Sequence, residues 1–309
     1  MCAFVGETLF IHFVLGWPMQ QPITRPAVNR YSLQNAIMQI LLLLLTVALS
    51  LMFMFPFAWS ISSSLKTAFE VISVPPSLFP REPQWGNYLE AWSYADFGLF
   101  FRNSILVTGL GLVGQIASSL IVAYGFARFR FPGREFLFVL CLSGMMMPVY
   151  VTIIPLYTMF RAIGWTDSFL PLIVPSYFGG AFAIFLLRQF ILSIPQDFDE
   201  SALIDGASRW RILTDIILPN CKPALATVAI VTFMASWNNF LAPLIFLDSV
   251  QKYTLPLGLW FLKGSIDETL PKDHLLMAGA MITTAPVLLI FILAQNYFVE
   301  GVVMSGIKG

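Results

Sequence analysis

Few side chains in this sequence could do chemistry, and their spacing narrows the options further. The two histidines, His12 and His274, lie far apart, and the three cysteines, Cys2, Cys141 and Cys221, form no CxxC pair. That pattern supports neither a metal site nor a disulfide framework. Cys141 and Cys221 read as small packing residues. Neither HExxH nor a nucleophile paired with a base occurs, so the residues do not make an intramembrane enzyme, and no cofactor is expected. Gly109, Gly111 and Gly114 spell GxGxxG, but no strand precedes them and the Lys and Ser/Thr of a phosphate-binding loop are missing. With Ala117, Ser118 and Ser119 they form instead a face of small residues that lets helices approach closely. Two constellations remain. Trp237, Asn238 and Asn239 stand inside an apolar run, where amides must meet a neighbouring helix or a watery path. Asp197, Asp199 and Glu200 cluster ahead of Gly206 in a polar stretch between apolar ones.

The elements that must position these residues follow from composition. Of 309 residues, 58% are hydrophobic and 11% charged, about half the charge of a soluble domain. Seventeen basic side chains balance seventeen acidic ones, leaving no basic stripe for phosphates and no nucleic-acid partner. The apolar residues fall in long blocks, and a hydrocarbon core about 30 Å thick takes roughly 20 apolar residues of helix. Six blocks qualify: Ala36–Trp59, Asn103–Phe126, Phe136–Tyr157, Leu170–Leu187, Ala224–Leu247 and Leu275–Tyr297. None has a charged residue or histidine in its interior. The expectation is an all-α membrane protein with six transmembrane helices. Prolines 148, 155, 175 and 286, with Gly179 and Gly180, would bend those helices around a cavity.

Short loops rich in Lys and Arg stay on the cytoplasmic side. Arg128, Arg130 and Arg134 outnumber Glu135 between the second and third blocks, while Arg188, Arg209, Arg211 and Lys222 follow the fourth and Arg25 and Arg30 precede the first. Both termini are then cytoplasmic. The opposite face receives Glu70, Glu82, Glu90 and Asp96, and later Asp248, Asp267, Glu268 and Asp273. Trp59, Tyr157, Trp165, Trp260 and Tyr297 fall near block ends, with Trp92 and Tyr94 in a loop, as an interfacial belt does. Residues 1–35 form an N-terminal segment. Its first eighteen have Glu7 where a signal peptide has basic residues, and read as a surface-lying stretch or as residues ahead of a start at Met19, the second being preferred.

One connector is specialised. Between Ile194 and Pro219, Ser193 is expected to cap a helix whose first turns hold Pro195, Asp197, Asp199 and Glu200, where the dipole favours acid. Gly206 can take the positive φ that stops it. Ser208 is expected to cap a second helix with Trp210, Leu213 and Ile217 on one stripe, ending before Pro219.

At these residues the chain resembles the permease subunits of binding-protein-dependent ABC importers. Their signature is EAA, three residues, Gly, nine residues, Ile, one residue, LeuPro. Glu200, Ser201, Ala202, Gly206, Ile216, Leu218 and Pro219 match every spacing, Ser201 replacing the middle Ala. The resemblance runs from about Gln34 onward and is closest to the maltose-type carbohydrate-uptake branch, supported by residues 64–67, 75–76, 79–81, 87–92, 235–246 and 298–309. It implies a type I importer permease domain over 36–309, with 194–219 as a cytoplasmic coupling loop between helices 4 and 5. It also implies that Glu200, Ser201, Ala202, Asp205, Gly206, Ile216, Leu218 and Pro219 serve ATPase coupling. The implied partners are a second permease, two ATPase subunits and an external solute-binding protein, in a prokaryotic inner membrane. Hydrolysis would belong to the ATPase. For cargo, amides suit hydroxyls and Trp237 suits a pyranose face, so Trp237, Asn238 and Asn239 are candidates for a sugar or polyol path; an Asn bonded to a neighbouring helix is the alternative. A stand-alone ion-coupled transporter is the competing function, although a proton-coupled one would place Asp, Glu or His within its spans.

Overall fold

The computed structural model describes residues 30–94, 96–264 and 272–306, with side chains over 35–93, 96–263 and 272–294. Expectations for residues 1–29, Asp267 and Glu268, for the side chains of Arg30, Tyr94 and Tyr297, and for the sequence match at 298–309 lie outside these limits.

In chain order the helices are α1 (Arg30–Ser64), α2 (Ala68–Val71), α3 (Gly86–Tyr94), α4 (Phe97–Arg128), α5 (Arg134–Ser143), α6 (Val149–Ala162), α7 (Leu170–Ile173), α8 (Ala181–Ser193), α9 (Asp197–Ile204), α10 (Arg209–Ile212), α11 (Leu218–Asn220), α12 (Lys222–Trp237), α13 (Leu241–Phe246), α14 (Leu255–Gly264) and α15 (Asp273–Gly306). No strand occurs among the described residues, so the all-α expectation stands. Asn35–Ser64, Phe97–Arg128, Leu170–Ser193 and Asp273–Ala294 are each long and apolar enough to cross a membrane. Two bent pairs qualify if each is one span: Arg134–Met146 with α6, bent by 99°, and Arg209–Asn220 with α12, bent by 79°.

Two compact units make up the chain, Met1–Pro56 and Phe57–Gly309. In the first, α1 is apolar on every side, as a spanning helix is. Its hydroxyls fold back on its own carbonyls, Thr46 onto Leu42 and Ser50 onto Thr46, each at 2.8 Å. These two hydroxyl hydrogens are then kept from hydrocarbon.

In the second unit α4 is the central strut. Lipid tails are as apolar as Leu, so helices here associate through close packing and hydrogen bonds. The small residues of α4 supply both. A Cβ at Gly114 would run into the Tyr177 ring, and Gly111 faces Ser176; Gly109 faces nothing within 4 Å, so only two of the three glycines serve close approach. Tyr177 and Ser176 belong to a 3₁₀ stretch, Val174–Phe178, that contains Pro175, which lacks a donor, and that with the non-helical Gly179 and Gly180 interrupts the fourth expected span. Its freed backbone groups are met from α4. Ser119 Oγ accepts from Gly180 N–H at 3.2 Å. Turned to satisfy both neighbours, the Gln115 amide accepts from Gly180 N–H at 2.8 Å and donates to Ser176 O at 3.3 Å.

The fifth block needs correction, whereas the sixth falls within one continuous helix, α15. Ala224–Leu247 is not continuous, because α12 stops at Trp237 and α13 starts at Leu241. The intervening amides cap rather than continue the helix: Asn239 Oδ1 accepts from Ala242 N–H at 3.2 Å. Helix α14, between the last two blocks, is too short to register as a span and was not expected.

Candidate functional site

Local chemistry shapes the connector between α8 and α12 into an elbow. Pro195 forces Ile194 into an extended conformation, φ −78° and ψ 126°, so α9 begins at Asp197 rather than after Ser193. Ser193 is therefore not its cap; it ends α8, with Oγ donating to Phe190 O at 2.7 Å. Acidic residues do fill the first turn of α9. At the other end Gly206 has φ +80°, its N–H bonds Leu203 O at 3.1 Å, and Ala207 N–H bonds Ala202 O at 2.9 Å. This pair of bonds is a Schellman stop, which requires the left-handed residue. Ser208 caps the next arm, accepting from Arg211 N–H at 3.2 Å.

The second arm departs from expectation at two points. It runs through Pro219 to Asn220, via a π-turn over Leu213–Ile217. Widening the turn takes the carbonyl four residues back out of the proline ring's way. Its buried stripe is Ile212, Leu213 and Ile217, while Trp210 is 62% exposed. Those buried residues pack with Leu120, Tyr124, Leu187 and Cys221 into one apolar cluster.

Of the expected coupling residues, Glu200, Ser201, Asp205, Gly206, Leu218 and Pro219 are exposed, and Ala202 and Ile216 half-buried. Ile204, 86% exposed, and Phe198 add apolar surface beside Glu200. Asp199, next to Glu200, is turned inward. It is buried, with Oδ2 at 2.9 Å from Arg128 Nε at the end of α4. Arg128 Nη2 also donates to Ile194 O at 3.0 Å. No sequence spacing signals this pair, because it joins residues brought together by the fold.

The solute candidates separate. Trp237 is 2% exposed; Phe233 stacks on it at 5.4 Å, Phe101 meets it edge-on at 5.9 Å, and its indole N–H donates to Thr283 O at 3.0 Å. Stacked on Phe233, met by Phe101 and bonded through its polar edge, Trp237 is enclosed within the chain. Asn238 and Asn239 are exposed. Asn238 lines a groove of about 490 Å³ with Phe240, Trp260, Lys263, Met277 and Thr283, and Trp260, read from sequence as an interfacial anchor, is 54% exposed there.

Elsewhere in this unit, Asp167 fastens the loop after α6 to the segment before α14. Its carboxylate accepts from Lys252 Nζ at 2.8 Å, from Ser249 N–H at 2.9 Å, from Asp248 N–H at 3.1 Å, and from Ser249 Oγ–H. The Lys252 and Ser249 bonds hold its carboxyl well below the usual carboxylate range. No group of three or more His, Cys, Asp or Glu placed to hold a metal occurs among the described residues.

Residues 115–303 match the family described as binding-protein-dependent transport system inner membrane component. The chain is 34% identical, over 77% of its length and 78% of the relative's, to the diacetylchitobiose uptake system permease protein NgcG of Streptomyces coelicolor. It is 33% identical, over 91% and 99%, to the arabinooligosaccharides transport system permease protein AraQ of Bacillus subtilis. Its fold resembles a chain of a bacterial ABC transporter that imports the acidic polysaccharide alginate, with a TM-score of 0.78 and 23% identity over 88% of this chain and 99% of that one.

Proposed function

The chain belongs to the binding-protein-dependent transport system inner membrane components, and we propose from this membership that it forms half of the membrane pathway of an ATP-driven importer for a sugar, oligosaccharide or polyol. It is a multi-pass membrane protein of that family, and family membership favours this reading over an ion-coupled secondary transporter. Relatives named for oligosaccharide uptake support the cargo class.

The observation that carries the mechanism is the elbow. A signature-matched helix is stopped at both ends by local chemistry, presents Glu200 and exposed apolar side chains outward, and is seated inward on α4 and α8. Such an element suits insertion into a groove on a separate ATPase, with Glu200 facing a basic residue and Ser201, Ala202, Asp205 and Gly206 at the contact. Ile216, Leu218 and Pro219 then carry displacement along the second arm, which turns through 79° into α12. The elbow is cytoplasmic in this reading, as the surrounding arginines require, and an external binding protein delivers solute to the opposite face. Two ATPase subunits hydrolyse ATP, and a second permease supplies the other half of the path. On the solute side the exposed amides Asn238 and Asn239 offer hydrogen bonds to hydroxyls. Trp260 offers the aromatic face that Trp237 does not.

Co-purification from native membranes tests this. The unaltered chain should bring down an ATPase whose hydrolysis rises with one sugar and its binding protein. Glu200→Lys should abolish uptake while membrane insertion stays normal. Solute movement by the isolated chain in liposomes, with no ATPase present, would overturn the reading.

A further inference from the structure

Resting on the elbow being the ATPase-docking element, we infer that the buried Arg128–Asp199 pair is a positioning joint that delivers elbow motion directly to α4. Asp199 and Glu200 are consecutive, roughly 100° apart around α9, one buried and one exposed. A push on the outer face of α9 is therefore received, one residue away, by a charge held against another helix. Side-chain exposures of 3% for Arg128 and 6% for Asp199 put the pair out of water. The guanidinium grips α9 on two sides, through Asp199 in its first turn and through the Ile194 carbonyl just before it. From the other arm the Arg209 guanidinium lies 5.8 Å over the ring of Phe129, the residue that follows α4.

The form of the contact points to motion rather than stability alone. Arg128 Nε and Asp199 Oδ2 are 2.9 Å apart, and both side chains are buried. Coulombic attraction falls off slowly with distance and is weakly screened out of water, so it persists through small tilts of α9. For stability alone, an apolar pair of similar volume does as well or better. Because α4 also holds the break in the fourth span through Ser176 and Gly180, displacement of its end reaches that span. The path through α12 is not the sole route.

The test uses the whole complex in proteoliposomes and measures ATP hydrolysed per solute imported. Asp199→Asn removes the charge at nearly constant shape and should raise that ratio at least about fivefold while the ATPase still co-purifies. Exchanging the charges with Arg128→Asp and Asp199→Arg together should bring it back toward the unaltered value. Asp199→Glu, which keeps the charge on a longer stem, decides the matter if the Asn variant does not assemble: an intermediate ratio supports the joint. An unchanged ratio in an assembled Asn variant, an unchanged ratio in the Glu variant when the Asn variant does not assemble, or an exchange variant no better than the single one, overturns it. Absence of any ATPase with the unaltered chain would instead defeat the docking reading.

Discussion

Trp237 is 2% exposed and Trp260 54%, and their environments assign them different work. The first fills a cluster with Phe97, Phe100 and Leu255, so Trp237→Ala should leave a cavity and cost about 3–5 kcal/mol, seen as a lower thermal midpoint in detergent. Trp260→Ala removes a half-exposed ring that meets Phe240 edge-on at 6.1 Å and should lower that midpoint much less while raising the KM of uptake by about tenfold, the loss of one stacking contact. Equal effects of the two on stability would show that the groove is packing. From sequence, Trp237 reads as a solute contact and Trp260 as an anchor. An aromatic beside two amides in an apolar run suggests a solute contact, and one near a span end suggests an anchor, but burial depends on partners from other helices. Lys66 makes the same point. It is 1% exposed in a loop, its ammonium donating to Ser77 O and lying 4.6 Å over the Trp59 ring, and Asn87 bonds its carbonyl at 2.8 Å.

At the scale of elements, the elbow was legible wherever its signals are local. Gly206 as the stop of α9 and Ser208 as the cap of the next arm follow from single-residue conformational preferences, and both hold. The failures are also informative. Ser193 competes with Pro195 for the start of α9, and the restriction proline places on Ile194 wins. Of the stripe Trp210, Leu213 and Ile217, the last two are buried across the π-turn as expected, while Trp210, in the turn before it, is exposed and Ile212 takes the inward place. The Gly206 position yields a paired prediction. Gly206→Pro cannot reach φ +80° and should abolish uptake and ATPase co-purification with normal membrane insertion. Gly206→Asn, which tolerates the left-handed region, should retain most of both. If the Pro variant transports normally, the turn has no role in coupling.

For the second unit as a whole, stability should depend on acid through Asp167, whose bonds tie the loop after α6 to residues 248–252. Its folded carboxyl is held below the ordinary value, so the unfolded chain binds the extra proton first as pH falls. The contribution is complete above the unfolded value, about pH 4, and is lost as pH drops through the folded one. Asp167→Asn should therefore lower the thermal midpoint by a constant amount between about pH 5 and 8, with the gap closing below about pH 4. A gap independent of pH down to 3 would remove the ion pair from the explanation. The all-helical class, the apolar spans and the signature elbow were written in the sequence, because hydrocarbon demands long apolar helices and turns obey the preferences of one or two residues. Only the tertiary structure decided that Arg128 meets Asp199, that Trp237 is enclosed while Trp260 is open, and that Gln115 and Ser119 repair the broken fourth span. Each of these depends on which helices become neighbours, and in lipid that choice rests on shape and on a few hydrogen bonds, neither of which leaves a periodic trace in the chain.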